Sequence, residues 1–415
     1  MQIQTPTYRL RHQGKTVSVA PNRASTAARI DRDGNGYLKN DEIAWYFGLP
    51  EESRTGNNRE ERLFENKFHL RGIPNPRRQG YRSFAEIEKE LKGLARKYPE
   101  TCELKVLGHT AENRPLYALR VTADAKADSS HKPGVVFRGL EHAREWTTAE
   151  VTLDSASTVL EKAASGDSVY QRRLQQAEMW FLPVVNPDGL EHSRNEDNAW
   201  RKNRAPVETL TNGEVIHAVG VDLNRNYGDG SELGNLIYRP PGDKPNRWQD
   251  DFENGADAPW SDVYRGEGPA SEKETDAVQA LELGHPNIRG ALSYHSFGES
   301  LVYPPGYRKG DVEHLQLFRG IGEKMIEAAG GEMELKSSAN LYPISGGAVD
   351  VEYINGIVGM LVEINESFQP DPSVIKPTSE RFHKANMVFL DEIVKGAKAG
   401  TLPERTVPDR YNLLD

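Results

Sequence analysis

The sequence contains a single cysteine, Cys102, so one chain cannot form an internal disulfide. No run of apolar residues approaches the roughly 20 that a helix needs to cross a bilayer, so we expect no membrane insertion. The first residues lack a basic stretch followed by an apolar core, and no signal peptide is visible. These absences leave the compartment unassigned.

Positive charge is scarcer than negative charge. The chain has 52 Lys and Arg residues against 62 Asp and Glu residues, a formal net charge of -10. Binding to a phosphate backbone requires a basic stripe, so nucleic acid is excluded as a partner. With 37% hydrophobic and 27% charged residues, the 415-residue chain has the composition of a globular protein. We expect a monomer.

The chain divides into three parts. Residues 1–76 form an N-terminal segment, residues 77–400 a main domain and residues 401–415 a C-terminal tail. Two prolines and two glycines within residues 71–80 are typical of a linker. Ser83 then begins a helix, because Glu86 completes a capping box with it and apolar residues follow at helical spacing.

Short apolar strands alternate with amphipathic helices through the main domain. The predicted strands are 116–121, 134–138, 180–185, 289–294 and 358–364. The predicted helices are 147–162, 272–283, 313–329 and 378–398. This alternation indicates an α/β fold with a single mixed, mostly parallel twisted β-sheet, flanked by helices on both faces. Residues 228–262, rich in Gly, Pro, Asn and Asp, predict a long irregular loop.

His142 and Glu145 are three residues apart, a spacing that brings both side chains to one face of a helical turn. Such a pair is a weak signal by itself, since surface helices often carry one. Hydrolytic zinc sites use three protein ligands and keep a fourth position open. His295 ends an apolar strand, where it could supply the third ligand, although a lone histidine there is more often a core residue.

Several short motifs resemble, in order and spacing, the zinc carboxypeptidases related to carboxypeptidase A. The resemblance covers residues 80–397. The motifs are EHAREW at 141–146, NPDG at 186–189, WRK at 200–202, GVDLNRNY at 220–227, HS at 295–296 and VE at 362–363. The resemblance implies a carboxypeptidase-like fold that cleaves the last peptide bond of peptides or proteins.

Site residues follow from the resemblance by position. His142, Glu145 and His295 would hold one catalytic zinc ion that activates water, and Asp222 would fix the tautomer of His142. Glu363 corresponds to the general base and acid, a task that explains an acid in an apolar strand. Arg201 corresponds to the residue that stabilises the oxyanion.

Substrate recognition is implied in the same way. Asn224 and Arg225 correspond to the pair that binds the terminal carboxylate, and Tyr342 to the tyrosine that closes over the terminal residue. Arg144 would line the approach. The implied walls of the terminal side-chain pocket are Val302, Gly306, Leu341, Ile344, Val349 and Leu361. No acid stands at Val349, so an apolar or aromatic terminal residue is expected.

Residues 31–42 match the twelve-residue EF-hand loop, in which alternating oxygen ligands wrap a calcium ion. The expected ligands are Asp31, Asp33, Asn35, the Tyr37 carbonyl and Glu42. Apolar residues on both sides suit flanking helices, so we expect a small helical EF-hand-like segment. Its calcium ion would be structural or regulatory. Lys39 departs from the pattern at loop position 9.

Three other interpretations remain. A zinc amidohydrolase or deacylase would share the metal ligands, but Asn224, Arg225 and Tyr342 argue against it. A carboxypeptidase acting on cell-wall peptides stays open, because residues 228–262 could reshape the cleft. A calcium-binding interaction protein on an inactive scaffold is disfavoured by the retention of Glu363 and Arg201.

Overall fold

The computed structural model describes residues 80–211, 214–238, 255–257, 259, 261–341 and 344–412, with the backbone of three short strands before them. The strands are β1 (Arg9–His12), β2 (Lys15–Ser18), β3 (Tyr37–Leu38), β4 (Cys102–His109), β5 (Pro115–Val121), β6 (Gly134–Arg138), β7 (Glu178–Leu182), β8 (Pro206–Thr211), β9 (Glu214–Val219), β10 (Ile288–Ser296), β11 (Ser300–Tyr303), β12 (Glu334–Ser337) and β13 (Val358–Ile364). The α-helices are α1 (Phe84–Lys97), α2 (Trp146–Ala164), α3 (Ser168–Gln176), α4 (Pro187–Asn195), α5 (Glu232–Tyr238), α6 (Lys273–Gly284), α7 (Leu315–Ala328), α8 (Ser338–Leu341), α9 (Ala348–Ile354) and α10 (Ile375–Ala399).

An eight-stranded sheet organises the main domain, in the order β12-β11-β13-β10-β6-β7-β5-β4. Its four central strands, β13, β10, β6 and β7, run parallel. Antiparallel pairing appears where β11 meets β13, β5 meets β7 and β4 meets β5. The prediction of a mixed, mostly parallel sheet is confirmed. Its parallel centre brings several carboxyl strand ends to one edge.

Both faces of the central strands are buried, and successive residues of one strand face opposite sides of the sheet. In β6, Val135 and Phe137 join the core beneath α1, α2, α7 and α10, whereas Val136 joins the core beneath α6 and α9. A strand buried on both sides is apolar at most positions, and a polar residue such as Arg138 is tolerated there only with partners. This explains why the central strands were recognisable from sequence.

Element boundaries agree with the sequence to within a few residues, and the strands predicted at 134–138 and 358–364 match. The capping box of α1 is also confirmed, because the Ser83 hydroxyl accepts from the Glu86 amide and the Glu86 carboxylate accepts from the Ser83 amide. The prediction that residues 228–262 form only irregular loop is wrong, since α5 lies within them. Residues 239–254 of that loop lie outside the described residues.

The last described residues pack against the main domain. Arg405 donates to the carbonyls of Glu282 (2.7 Å) and Leu283 (2.8 Å), which end α6, and Tyr411 is buried. Of the predicted calcium loop at 31–42, only the backbone of Tyr37–Leu38 lies within the described residues. Among those residues, no helix combines the length and the apolar character that crossing a bilayer requires.

Candidate metal centre and cleft

His142 and Glu145 meet in a tight turn at the carboxyl end of β6. The amide of Glu145 donates to the His142 carbonyl at 3.1 Å, and α2 begins at the next residue, Trp146. The pair therefore lies in a turn that directly precedes the helix. The three-residue spacing still brings the side chains together, with His142 Nδ1 2.8 Å from Glu145 Oε1.

His295, near the end of β10, completes the group. Its Nδ1 atom lies 3.0 Å from His142 Nδ1 and 3.2 Å from Glu145 Oε2. One candidate ligand atom from each of the three buried residues lies within 4.8 Å of the other two. Two imidazoles and one carboxylate are the donor set of a hydrolytic zinc site. The residues present therefore fit the metal.

The outer nitrogens of both histidines face carboxylates. His142 Nε2 lies 3.2 Å from Asp222 Oδ1, and His295 Nε2 lies 3.1 Å from Glu141 Oε2. A histidine that binds a metal through Nδ1 carries its proton on Nε2, and an outer carboxylate fixes this tautomer. Asp222 was predicted for this role. Glu141 was missed, although an acid directly before a ligand histidine at a strand end is a signal in the sequence.

The electrostatics of the group favour a cation. Despite burial, positive neighbours hold the pKa values of Glu145, Glu141 and Asp222 well below the usual carboxyl range. Burial alone would lower the pKa of His295, but hydrogen bonds to Glu141 and Glu145 raise it to about 10. Three buried carboxylates around two imidazoles thus attract positive charge.

Glu363 stands beside this group because β10 and β13 are parallel neighbours that pair His295 with Glu363. The side chain is partly exposed, yet its Oε2 atom is buried and has no hydrogen-bond partner among the described residues. Burial raises the pKa of Glu363 to about 7, although His295 and Arg201 act in the opposite direction. Such a carboxyl can change protonation state near neutral pH.

The segment carrying Arg201 is tied to the metal turn. The Ala143 amide donates to the Arg201 carbonyl at 3.0 Å, and the Asn186 side chain donates to the carbonyls of Glu141 (3.0 Å) and Lys202 (3.1 Å). Arg201 Nε donates to Asp222 Oδ2 at 2.8 Å. Asp222 therefore contacts both His142 and Arg201.

Two of the residues predicted to read the substrate, Asn224 and Arg225, directly follow Asp222 and Leu223. Asp222 caps a short 3-10 helix, Leu223–Arg225, which carries Asn224 and Arg225. Asn224 Oδ1 accepts from the Ala348 amide at 3.1 Å, and Arg225 Nη1 donates to the Asn224 carbonyl at 2.7 Å. Elsewhere, Arg144 packs over the Phe368 ring at 4.2 Å. Tyr342 lies outside the described residues.

Three of the residues predicted to line the side-chain pocket lie together. Val302, Val349 and Leu361 form one buried apolar cluster. Gly306 lies close by in sequence, and a Cβ atom there would come within 2.7 Å of Ile344 Cγ1, so only glycine fits without displacement. The apolar character expected of this pocket is consistent with the three clustered side chains.

Comparison with known proteins agrees with this geometry. The profile of the family described as zinc carboxypeptidase matches residues 87–385. Mus musculus carboxypeptidase A4 is 27% identical over 282 residues, 67% of this chain and 60% of that protein. Astacus astacus carboxypeptidase B is 29% identical over 277 residues, 65% of this chain and 80% of that protein. The crystal structure of carboxypeptidase A from Helicoverpa armigera superposes with a TM-score of 0.65 at 21% identity, covering 92% of this chain and 89% of that one.

Proposed function

This chain belongs to the zinc carboxypeptidase family, and we propose that it removes a single amino acid from the C-terminus of peptides or proteins. One observation carries the proposal. His142, Glu145 and His295 converge on one point, and Glu363 lies on the strand paired with His295. A three-ligand metal group beside a carboxyl of near-neutral pKa suits hydrolysis of an amide bond.

The two Nδ1 atoms and the Glu145 carboxylate would hold one zinc ion. Zinc bound there supplies a Lewis acid that polarises the scissile carbonyl and makes water a stronger acid. The protein contributes the orientation of the donors, because Asp222 lies at the outer nitrogen of His142 and can fix its tautomer.

Glu363 is the proposed general base and acid. Its buried Oε2 atom has no hydrogen-bond partner among the described residues, so that atom is available to accept a proton. Because burial raises its pKa to about 7, the carboxyl can take a proton from water and return it to the leaving amine at neutral pH.

Arg201 is the proposed stabiliser of the oxyanion. Its Nε atom is oriented by Asp222, and its side chain is partly exposed. Asp222 thus aligns a cation whose charge can oppose the negative charge that develops on the carbonyl oxygen.

Asn224 and Arg225 are the proposed readers of the substrate's terminal carboxylate. A guanidinium can bind a carboxylate through two parallel hydrogen bonds, which a terminal amide cannot accept equally well. Tyr342 is proposed to close over the same residue, and Arg144 to line the approach. The apolar cluster of Val302, Val349 and Leu361 supports an apolar or aromatic terminal side chain.

The calcium site is a separate proposal that depends on sequence alone. Residues 31–42 carry oxygen ligands at EF-hand spacing. We propose that residues 1–76 form a calcium-binding segment in front of the catalytic domain, residues 77–400. Calorimetric titration of the full chain with calcium tests this, with Asp31→Ala and Glu42→Ala together as the variant that should not bind.

The hydrolytic proposal is tested with two peptides that share one sequence ending in phenylalanine, one a free acid and the other an amide. Mass spectrometry should show loss of one residue from the acid by the zinc-loaded protein, and none after chelation. The amide should stay intact. Glu363→Gln should keep its zinc but lose about 10²–10⁴-fold in kcat.

Equal cleavage of acid and amide would contradict the proposal and favour an amidohydrolase or an endopeptidase. Internal cleavage would do the same. Near-normal turnover by Glu363→Gln would remove Glu363 from the mechanism while leaving the exopeptidase activity in place.

A further inference from the structure

Glu141 is a fully buried carboxylate that belongs neither to the three metal donors nor to the residues that recognise substrate. We propose that Glu141 is a positioning residue that orients His295 for zinc, and that Arg138 and Tyr227 hold Glu141 in place. This inference depends on the zinc site proposed above.

The first step is the direction of the His295 ring. Its Nδ1 atom faces the metal group, 3.2 Å from Glu145 Oε2, so Nε2 points the other way. Glu141 Oε2 lies 3.1 Å from that Nε2 atom. When Nδ1 binds a metal, Nε2 carries the proton and donates it to a hydrogen bond, and a carboxylate is its strongest acceptor.

The second step is how the Glu141 carboxylate is itself held. Its Oε1 atom accepts from Arg138 Nε at 2.8 Å and from the Tyr227 hydroxyl at 2.6 Å. Two donors on one oxygen fix the rotation of the carboxylate. The other oxygen is thereby directed at His295.

The third step is the anchoring of Arg138. Its two terminal nitrogens pair with Glu282 of α6 and Glu352 of α9, the latter at 2.5 Å. The guanidinium is completely buried and pairs with acidic groups from three segments, namely Glu141 in the turn after β6, Glu282 in α6 and Glu352 in α9. A metal ligand on β10 is therefore oriented through Glu141 by packed secondary structure.

Ser293 offers an alternative acceptor, because its Oγ atom lies 3.0 Å from His295 Nε2. A hydroxyl is a weaker acceptor than a carboxylate. It can also rotate to donate its own proton elsewhere, so it does not fix the orientation of the His295 ring. The test must therefore separate Glu141 from Ser293.

Outer hydrogen-bond partners of metal-binding histidines are worth about 10–100-fold in metal affinity. Glu141→Gln preserves the volume but replaces the carboxylate with a weaker acceptor. We expect its zinc dissociation constant to rise about 10–100-fold. Ser293→Ala should stay within about threefold of the parent protein, and so should the matched control Glu352→Gln, in which Arg138 keeps Glu141 and Glu282 and the glutamine oxygen can still accept from it.

The experiment titrates the metal-free full chain with zinc against a competing chelator, and records the visible absorption of the cobalt-substituted proteins. Expected results are weaker zinc binding and an altered cobalt spectrum for Glu141→Gln alone. At saturating zinc its kcat should recover to within about tenfold, because the residue positions a ligand and does not contact substrate.

Unchanged zinc affinity in Glu141→Gln would overturn the proposal, as would equal weakening in Glu352→Gln or a dominant effect of Ser293→Ala. If Glu141→Gln does not fold, Tyr227→Phe replaces it. Loss of that hydroxyl should weaken zinc binding with little change in the melting temperature of the metal-free protein, and unchanged affinity would again overturn the idea. If the parent protein itself binds no zinc, the metal site fails, and with it the proposed function.

Discussion

The two candidate histidine ligands are supported by the same chemistry in two different surroundings. His142 is backed by Asp222 and Arg201, and His295 by Glu141 and Arg138. The Arg201 side chain is 10% exposed, whereas Arg138 has no exposure at all. One carboxylate–arginine pair reaches the solvent side of the site, and the other is sealed within the core.

The difference separates two roles that the similar hydrogen bonds of the two arginines do not distinguish. A partly exposed guanidinium can meet a substrate, so Arg201 can act on the reaction as well as orient Asp222. Arg138 pairs with three buried carboxylates and has no access to substrate, so it can act only by holding other residues. Substitutions on the two sides should therefore change different measurements.

The largest effect is expected on the sealed side. Arg138→Met leaves three buried carboxyl groups, of which Glu141 is ionised, without their cation, and it should lower the free energy of unfolding by about 3–5 kcal/mol because an unpaired buried charge is costly. Denaturant unfolding measures the loss. A stability within about 1 kcal/mol of the parent would contradict the view that this guanidinium is the main counter-charge of the network.

On the exposed side the expected effect is on catalysis. Arg201→Met should lower kcat by about 10²–10³-fold, the usual loss when one oxyanion donor is removed. Steady-state kinetics at saturating zinc provides the measurement. Arg138→Met, assayed at a temperature where it is folded, is the matched control and should keep kcat within about tenfold. Equal loss in both variants would remove the distinction between the two sides.

The smallest expected effect concerns Glu282, one of three carboxyl groups that face the single cation of Arg138. Burial raises the pKa of Glu282 above the usual carboxyl value, so the native state holds a proton that the unfolded state releases. Stability should accordingly fall as pH rises from the usual carboxyl range through neutrality. The glutamine of the Glu282→Gln variant cannot ionise. The free energy of unfolding of this variant, relative to that of the parent, should therefore rise by about 1–2 kcal/mol between about pH 5.5 and about pH 8.5.

Thermal or denaturant unfolding at several pH values, with chelator present so that metal binding does not contribute, checks this last prediction. A difference between the two proteins that is independent of pH would mean that Glu282 does not titrate in this range. A stability difference that decreases with rising pH would mean that the pKa of Glu282 is lowered, not raised, in the native state.

The central strands and the metal donors could be predicted from the sequence, and the reasons are physical. The segments at 134–138 and 358–364 are buried on both faces for most of their length, and such strands are nearly continuous apolar runs, here interrupted only by Arg138 and Glu363. His142 and Glu145 stand in a short local motif, so their spacing survives even though the turn precedes α2. The helix α5 was missed, because its seven residues lie among Gly, Pro, Asn and Asp residues that favour loops.

Glu141 and Arg138 were not recognised, since their importance depends on residues far away in the chain. Glu141 contacts His295 and Tyr227, and Arg138 contacts Glu282 and Glu352. A buried charge is tolerated only with its partners, and those partners cannot be read from local spacing. The predicted calcium loop and Tyr342 stay predictions, because both lie outside the described residues apart from the Tyr37–Leu38 backbone.

The sequence by itself determined which chemistry this protein can carry: two histidines and a glutamate for a metal, a glutamate in an apolar strand, and arginines suited to negative oxygens. Only the tertiary structure decided how those groups are oriented. The parallel pairing of β10 and β13 sets Glu363 beside His295, and the packing of α6 and α9 against β6 directs Glu141 at the same ring. Residue type is local, but the direction of a side chain depends on contacts between segments that only folding brings together.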